Sequence, residues 1–321
     1  MINQVLIGVG AGLTAALLYA SAATLSPLAL MLFYLGPLPI FLSALGWGMA
    51  AGLAAGVTAG LVLGVVQAPG AAALFLFSVV VPALILAHLA RLGRKNQGGG
   101  AEHYPVGRLL LWASGISAVT TVTTTLVLGI GVEEIKVVVS QLIQQLVEAQ
   151  PELAENQDAL NAMAETIARI IVPLSSVSWA VALILNLWLS GRILKLSDRL
   201  PRPWPNLHHV TVPPRLHFAL AIAVALSFVG GQVGFVAVVA ASCLALVFVF
   251  VGLSVIHHLT NGQPTRPLIL SIVYAIIIFL TVPLSFLPLM IVAGIGLAEP
   301  HLALRARAAQ ARGEPPPPTA A

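Results

Sequence analysis

The chain has 321 residues, of which 59% are hydrophobic and 8% charged, and its mean hydropathy is +0.99; soluble domains carry about 25% charged residues. A water-soluble fold is excluded. The net charge of +4 and pI of about 9.6 do not point to nucleic acid, because the basic residues are scattered over short loops, where they set membrane orientation. Cys243 is the only cysteine, which excludes an intrachain disulfide, a thiolate metal cage and an Fe–S site.

Four apolar runs, near 5–23, 28–45, 47–66 and 71–90, precede the first charged residue, Arg91. Runs of about 20 residues cross a hydrocarbon core of about 30 Å at about 1.5 Å per residue, so residues 1–90 form an N-terminal membrane half of four helices. Ser21-Ala22-Ala23 after the first run resembles a cleavage site, but no basic leader precedes that run and further spans follow directly, so it is expected to remain as a membrane helix.

A basic loop at 91–108, with Arg91, Arg94, Lys95 and Arg108, leads to a fifth run at 109–131, and a sixth lies at 171–190. Between them, 132–170 holds Glu133, Glu134, Glu148, Glu152, Glu155, Asp158 and Glu165 against only Lys136 and Arg169. Ile135, Val138, Val139, Leu142 and Leu146 recur there at spacings of three and four, as do Leu160, Met163, Ile167 and Ile170. This predicts two amphipathic helices broken at Pro151, whose apolar faces can pack on each other, lie on the membrane surface or close over a cavity as a lid.

A second basic loop, 191–215, carries Arg192, Lys195, Arg199, Arg202 and Arg215, with Arg202-Pro203-Trp204-Pro205 and His208-His209 inside it. The prolines and Trp204 read as an anchor at the lipid interface. Adjacent histidines point about 100° apart on a helix and nearly 180° apart on a strand, and no HExxH spacing accompanies them, so no metal is expected at His208-His209 or His257-His258. Basic loops stay inside, so 91–108, 191–215 and the N-terminus are expected in the cytoplasm and 132–170 outside.

The C-terminal membrane part, 216–298, has runs at 216–230, 233–255 and 268–298, the last interrupted by Pro283 and Pro288. Two short helices turning near Pro283-Leu284-Ser285 are favoured over one long span, since they return Arg305, Arg307 and Arg312 to the cytoplasm. Residues 299–321, with prolines from Pro315 to Pro318, are expected to be a disordered tail. The predicted fold is all-α: a polytopic transmembrane helix bundle of about 8–10 membrane helices with an outer amphipathic helical insertion.

Gly48, Gly52, Gly56, Gly60 and Gly64 follow one another at a spacing of four, a glycine zipper along the third run. Four residues overshoot a turn by about 40°, so this groove winds slowly and calls for a closely packed helix, within the bundle or from another chain. The first run carries Gly8 and Gly12 with Ala11, Ala15, Ala16 and Ala20. Gly36-Pro37-Leu38-Pro39-Ile40-Phe41 leading into Gly46-Trp47-Gly48-Met49-Ala50-Ala51-Gly52-Leu53-Ala54-Ala55-Gly56 resembles the second and third helices of substrate-binding S components of energy-coupling-factor (ECF) transporters. The C-terminal half is similar to the YybS-like family of bacterial membrane proteins of unknown function, through Phe250-Val251-Gly252-Leu253-Ser254-Val255-Ile256-His257-His258-Leu259-Thr260-Asn261-Gly262 and Gly294-Ile295-Gly296-Leu297-Ala298-Glu299-Pro300-His301. The resemblance implies a place in a bacterial cytoplasmic (inner) membrane and docking of Ala11, Ala15, Ala16 and Ala20 on a membrane coupling subunit. The chain is longer than a six-helix S component and carries the acidic insertion, so no substrate-site residue is transferred.

No Asp, Glu, Lys or Arg lies at mid-depth of a predicted span, which disfavours an ion pump or proton-driven carrier. Neither a Ser/His/Asp arrangement nor paired metal ligands are evident, so no enzyme activity and no cofactor are expected. Uncharged polar groups do gather: Thr120, Thr121, Thr123, Thr124 and Thr125 in the outer half of the fifth span, Ser175, Ser176 and Ser178 in the sixth, and Gln67 and Gln232 at outer turns. They either line an outward pocket beneath the acidic segment or bond helix carbonyls as packing contacts. Two functions follow: an S-component-like subunit that binds a small uncharged or weakly charged solute, or a membrane scaffold whose glycine-lined helices and basic loops contact another envelope or cytoplasmic protein.

Overall fold

Apolar segments in lipid must satisfy their backbone groups internally, and this chain does so with helices. The computed structural model describes residues 2–24, 26–95, 101–150, 157–281 and 284–313. Helix α1 (Ile2–Ala20) ends in a short 3-10 turn, Ser21–Thr24, and the second predicted run is split into α2 (Pro27–Tyr34) and α3 (Leu38–Gly46). Ser26 starts α2 by accepting the Ala29 N–H at 3.2 Å. Helix α4 (Met49–Val66) follows, then α5 (Pro69–Arg91), which contains one π turn at Leu76–Val80. Pro82 donates no hydrogen bond to the Ser78 carbonyl, and Trp179 Nε1 donates to it instead at 3.0 Å.

Small residues bring α1 and α4 into backbone contact. A Cβ built on Gly8 would lie 2.5 Å from the Ala51 carbonyl oxygen, and one on Gly12 would lie 2.5 Å from that of Ala55. Ala15 and Ala16 are fully buried in the same core, with Ala11 and Ala20 packed at its edge. The glycine row of α4 is likewise covered from within the chain: Gly52 meets Ala44 and Leu84, Gly56 meets Val80, Gly60 meets Leu76 and Gly64 meets Ala72. Its groove therefore passes from α3 to α5 as it winds. Gly48, expected as the first member of the row, instead precedes α4 at a φ of +108° and makes no helix contact of this kind.

A two-stranded ribbon, β1 (Gly93–Lys95) and β2 (Ala101–His103), joins α5 to α6 (Val106–Val127). Helix α7 (Val132–Ala149) is the first predicted amphipathic helix. The second is not separate: it is the start of α8 (Gln157–Leu196), a single 40-residue helix that continues through the sixth run. Pro173 leaves it unbroken, and the expected break at Pro151 lies outside the described residues. The C-terminal part comprises α9 (Leu216–Ser227), α10 (Gly231–Leu259), α11 (Arg266–Leu280), α12 (Leu287–Leu302) and α13 (Leu304–Ala311).

Among the described residues, seven helical segments are long and apolar enough to cross a membrane, or up to eight with the pair α12 and α13, which is bent by 71°. The 12 residues of α9 and 15 of α11 give about 18 and 22 Å of apolar helix, less than a bilayer core. The 268–298 run is two helices, as favoured, although Pro283 lies outside the described residues. The tail expected to be disordered over 299–321 is instead helical through most of 299–311, held by the buried Glu299 and Arg305, and within it only 314–321 lies outside the described residues. Backbones touch again where Gly252 meets Val292 and Gly296 meets Phe248, which seats α12 on α10.

Charge divides the bundle into two ends. Arg305 on α13 donates to the carbonyls of His208 (3.4 Å) and Val210 (3.1 Å), so the C-terminal helix lies at the same end as the 191–215 loop. Arg202 of that loop reaches the carbonyls of Ala90 and Tyr104, placing the 91–108 connection there too. Every basic residue except Lys136 and Arg169 belongs to the segments that meet at this basic end. The acidic segment around α7 marks the other.

Candidate ligand-binding cavity

At the acidic end a cavity of about 850 Å³ opens between two glycine-rich turns and α8. One turn, from α6 to α7, contributes Gly129 to Val132; the other, from α9 to α10, contributes Ser227 and Gly230 to Gln232. Gly129, Gly230 and Gly231 have φ of +64°, +78° and +58°, a backbone that only glycine adopts without cost. The walls are therefore partly bare backbone, closed below by Phe235, Val238 and Pro173.

Two charged side chains stand at the mouth. Glu134 starts α7 by accepting the Gly131 N–H at 2.8 Å, and Arg169 pairs with Glu165 at 2.7 Å one turn earlier on α8. A carboxylate, a guanidinium and the Gln232 amide can together hold a small polar or zwitterionic molecule, with apolar contact from Phe235 beneath it.

Among the sequence-predicted site residues, Gln232 lines this cavity. Thr120 is buried and donates to the Ile116 and Ser117 carbonyls of its own helix. Ser175 donates to the Val172 carbonyl, while Thr121, Thr124 and Ser178 are half-buried. Gln67 is exposed at the end of α4, away from the cavity lining. Thr125 does reach the cavity wall, with its hydroxyl committed to the Thr121 carbonyl at 2.7 Å.

Just inside the bundle the polar groups join helices. Ser117 donates to the Ser176 carbonyl at 2.7 Å, and the Ser176 hydroxyl lies 3.1 Å from Cys243 Sγ, tying α6, α8 and α10 together. Sequence reasoning missed Glu134, Arg169 and the two turns as a site. The paired signals Gly129-Ile130-Gly131 and Gly230-Gly231, each between two apolar runs, would have found them.

The histidines meet across elements rather than as sequence neighbours: His208 faces His257 with ring centres 6.0 Å apart, and His209 faces His258 at 5.1 Å. Among the described residues, no three His, Cys, Asp or Glu side chains are grouped to hold a metal ion.

Comparison with known proteins adds a family and no activity. No curated protein and no solved structure matches the chain. Residues 12–298 match the family model DUF2232, described as a predicted membrane protein, which covers most of the chain. The protein is thus a multi-pass membrane protein of the DUF2232 family.

Proposed function

We propose that this protein is a non-catalytic subunit that binds a small, weakly charged solute from the outer side of a bacterial inner membrane. On this reading the acidic end faces outward and the basic end, with the N-terminus, faces the cytoplasm, in line with the charge of the loops. The observation that carries it is the cavity of about 850 Å³ whose lining includes Glu134 at the start of α7 and Arg169 on α8. That volume falls within the roughly 300–1,000 Å³ of small-molecule sites.

The scaffold alternative drew on glycine-lined helices offered to another protein. The α4 glycine face is covered by α3 and α5 and that of α1 by α4, all of the same chain, which leaves the solute reading the better supported. An S-component-like role would further need a coupling subunit. Ala15 and Ala16 are buried within the chain, so such a subunit would have to dock elsewhere.

A thermal-shift screen of small polar solutes on purified protein tests the proposal. A ligand at about 100 times its Kd stabilises the folded state by about 2.7 kcal/mol. The expected hit raises the melting temperature of the native chain and loses its effect in Gln232→Ala and in Phe235→Trp, which narrows the cavity. A hit that is indifferent to both changes, or a screen with no hit, overturns the proposal.

A further inference from the structure

A second cavity, of about 650 Å³, opens at the basic end and has a different chemistry. Its body is apolar, built from Leu45 of α3, Leu109 of α6, Leu187 of α8, and Phe250 and Leu253 of α10. Leu185 and Trp188 also line it, and they are 53% and 46% exposed on the outside of α8, the surface that meets lipid. The cavity therefore communicates sideways with the bilayer.

Its rim is cationic. Arg202 and Arg266 both line it, and neither forms an ion pair with a carboxylate among the described residues. Arg266 donates to the Asn261 side chain at 2.9 Å. Arg202 is less well satisfied: it makes only long contacts to the Ala90 and Tyr104 carbonyls (3.4 and 3.3 Å), and its Nε is buried without a hydrogen-bond partner in the structure. His208 and the His257–Tyr274 pair, hydrogen bonded at 2.9 Å, complete the rim. Beside it Trp204 carries Arg192 and Lys195 over its ring at 5.3 and 5.5 Å, further positive charge at the depth where headgroups lie.

A half-buried guanidinium with an unmatched N–H is costly unless an acceptor completes it, and a phosphate oxygen is among the strongest. An apolar cavity reached from lipid calls for a chain. We propose that this cavity binds a phosphate-bearing amphiphile, with the phosphate against Arg202 and Arg266 and the acyl or prenyl chain lying between α8 and α10. This site is separate from the acidic-end cavity and stands or falls independently of it.

The test uses the full chain purified in a neutral detergent, with binding read by native mass spectrometry and by melting temperature. Three probes separate head from tail: lysophosphatidic acid, the monoacylglycerol of the same chain, and glycerol phosphate alone. Lysophosphatidic acid is expected to bind at least about tenfold more tightly than the monoacylglycerol, and glycerol phosphate to give no shift. Arg202→Gln should weaken lysophosphatidic acid by about tenfold and leave the monoacylglycerol unchanged, whereas Leu253→Trp, which fills the cavity, should weaken both. If Arg202→Gln does not fold, Leu253→Trp and the three-probe comparison still decide. Equal binding of lysophosphatidic acid and monoacylglycerol, equal binding of glycerol phosphate, or a lysophosphatidic acid affinity untouched by Leu253→Trp overturns the proposal.

Discussion

Among the described residues, the two ends of the bundle each hold one Arg–Glu ion pair of nearly the same length, and the two pairs differ in burial. At the basic end Arg305 meets Glu299 at 2.8 Å with side chains only 6% and 10% exposed. At the acidic end Arg169 meets Glu165 at 2.7 Å, but the side chains are 69% and 48% exposed. Distance alone cannot rank them, because water screens one pair and is excluded from the other. The basic end also uses its cations structurally. Arg91 donates to the Ala44 carbonyl at 2.6 Å, and Arg202 reaches that of Ala90, near the C-terminal ends of α3 and α5, where carbonyls lack helical partners. Positive residues that orient a membrane chain here also close its helices.

The largest effect should come from breaking the buried pair. Glu299 accepts from Arg305 Nε and from the Leu304 backbone N–H at 3.0 Å, so it both pairs and starts α13. Arg305→Met would leave a buried carboxylate unpaired and release the contacts to His208 and Val210, at a cost of about 3–5 kcal/mol. A sharply lowered melting temperature in detergent is expected, with partial recovery when Glu299→Gln is added. If Arg305→Met melts like the native chain, the buried pair is not what fixes the C-terminal helix to the 191–215 loop.

The glycine face between the ends provides the next largest effect and shows whether losses at an end spread through the bundle. Gly56→Leu drives a side chain into Val80, an overpacking that costs about 1–3 kcal/mol or more when backbones must separate. Leu61 on the same helix is 66% exposed and faces lipid, so Leu61→Ala should be nearly silent. Equal melting of the two variants would mean that α4 does not depend on its glycine contacts.

This contrast also shows how far the sequence could be read. The helices, the separation of basic from acidic loops and the glycine row are carried by composition and spacing, which act locally, so they were legible. The second amphipathic helix was not separated correctly, because Leu160, Met163, Ile167 and Ile170 keep helical spacing straight into the sixth run and no breaker stands between them. The binding residues were harder still. A Thr or Ser on an apolar helix looks alike whether it lines a cavity or bonds its own carbonyl, as Thr120 does. The basic-end cavity joins Leu45 to Tyr274, a juxtaposition that only the packing of α3, α6, α8, α10 and α11 creates.

A smaller effect should appear as the pH falls just below neutrality, at the basic end. Burial, then Arg266, hold the His208 imidazole below its usual range, and burial, then Arg305 and His208, do the same for His209. The ring of His257 also faces His208, and that of His258 faces His209. A base with a lower pKa folded than unfolded takes up protons more readily when unfolded. Stability is then retained above the ordinary imidazole pKa of about 6.5 and lost as pH falls below it. The melting temperature should hold steady from about pH 8 to 7 and decline below about 6.5, and the His208→Gln, His209→Gln double variant should flatten that decline. An unchanged slope in the double variant would assign the acid sensitivity to other groups.

The smallest effect is expected at the acidic end, where it bears most directly on the comparison. Arg169→Gln removes the exposed pair with Glu165, whose carboxylate is held below its usual range by the hydrogen bond and charge of Arg169 but remains exposed to water. Exposed pairs one helical turn apart gain little, since water screens the attraction and ordering two long side chains offsets much of the rest. The melting temperature of Arg169→Gln should therefore match that of the native chain, and added salt should leave both unchanged relative to each other. Arg169 also lines the acidic-end cavity, so the same variant should weaken an anionic or zwitterionic solute found by screening there. Stability unchanged with binding reduced would mark the acidic end as a place where charge serves the ligand. A loss of stability comparable to that of Arg305→Met would show instead that both ends rest on their ion pairs, and the distinction drawn from burial would fail.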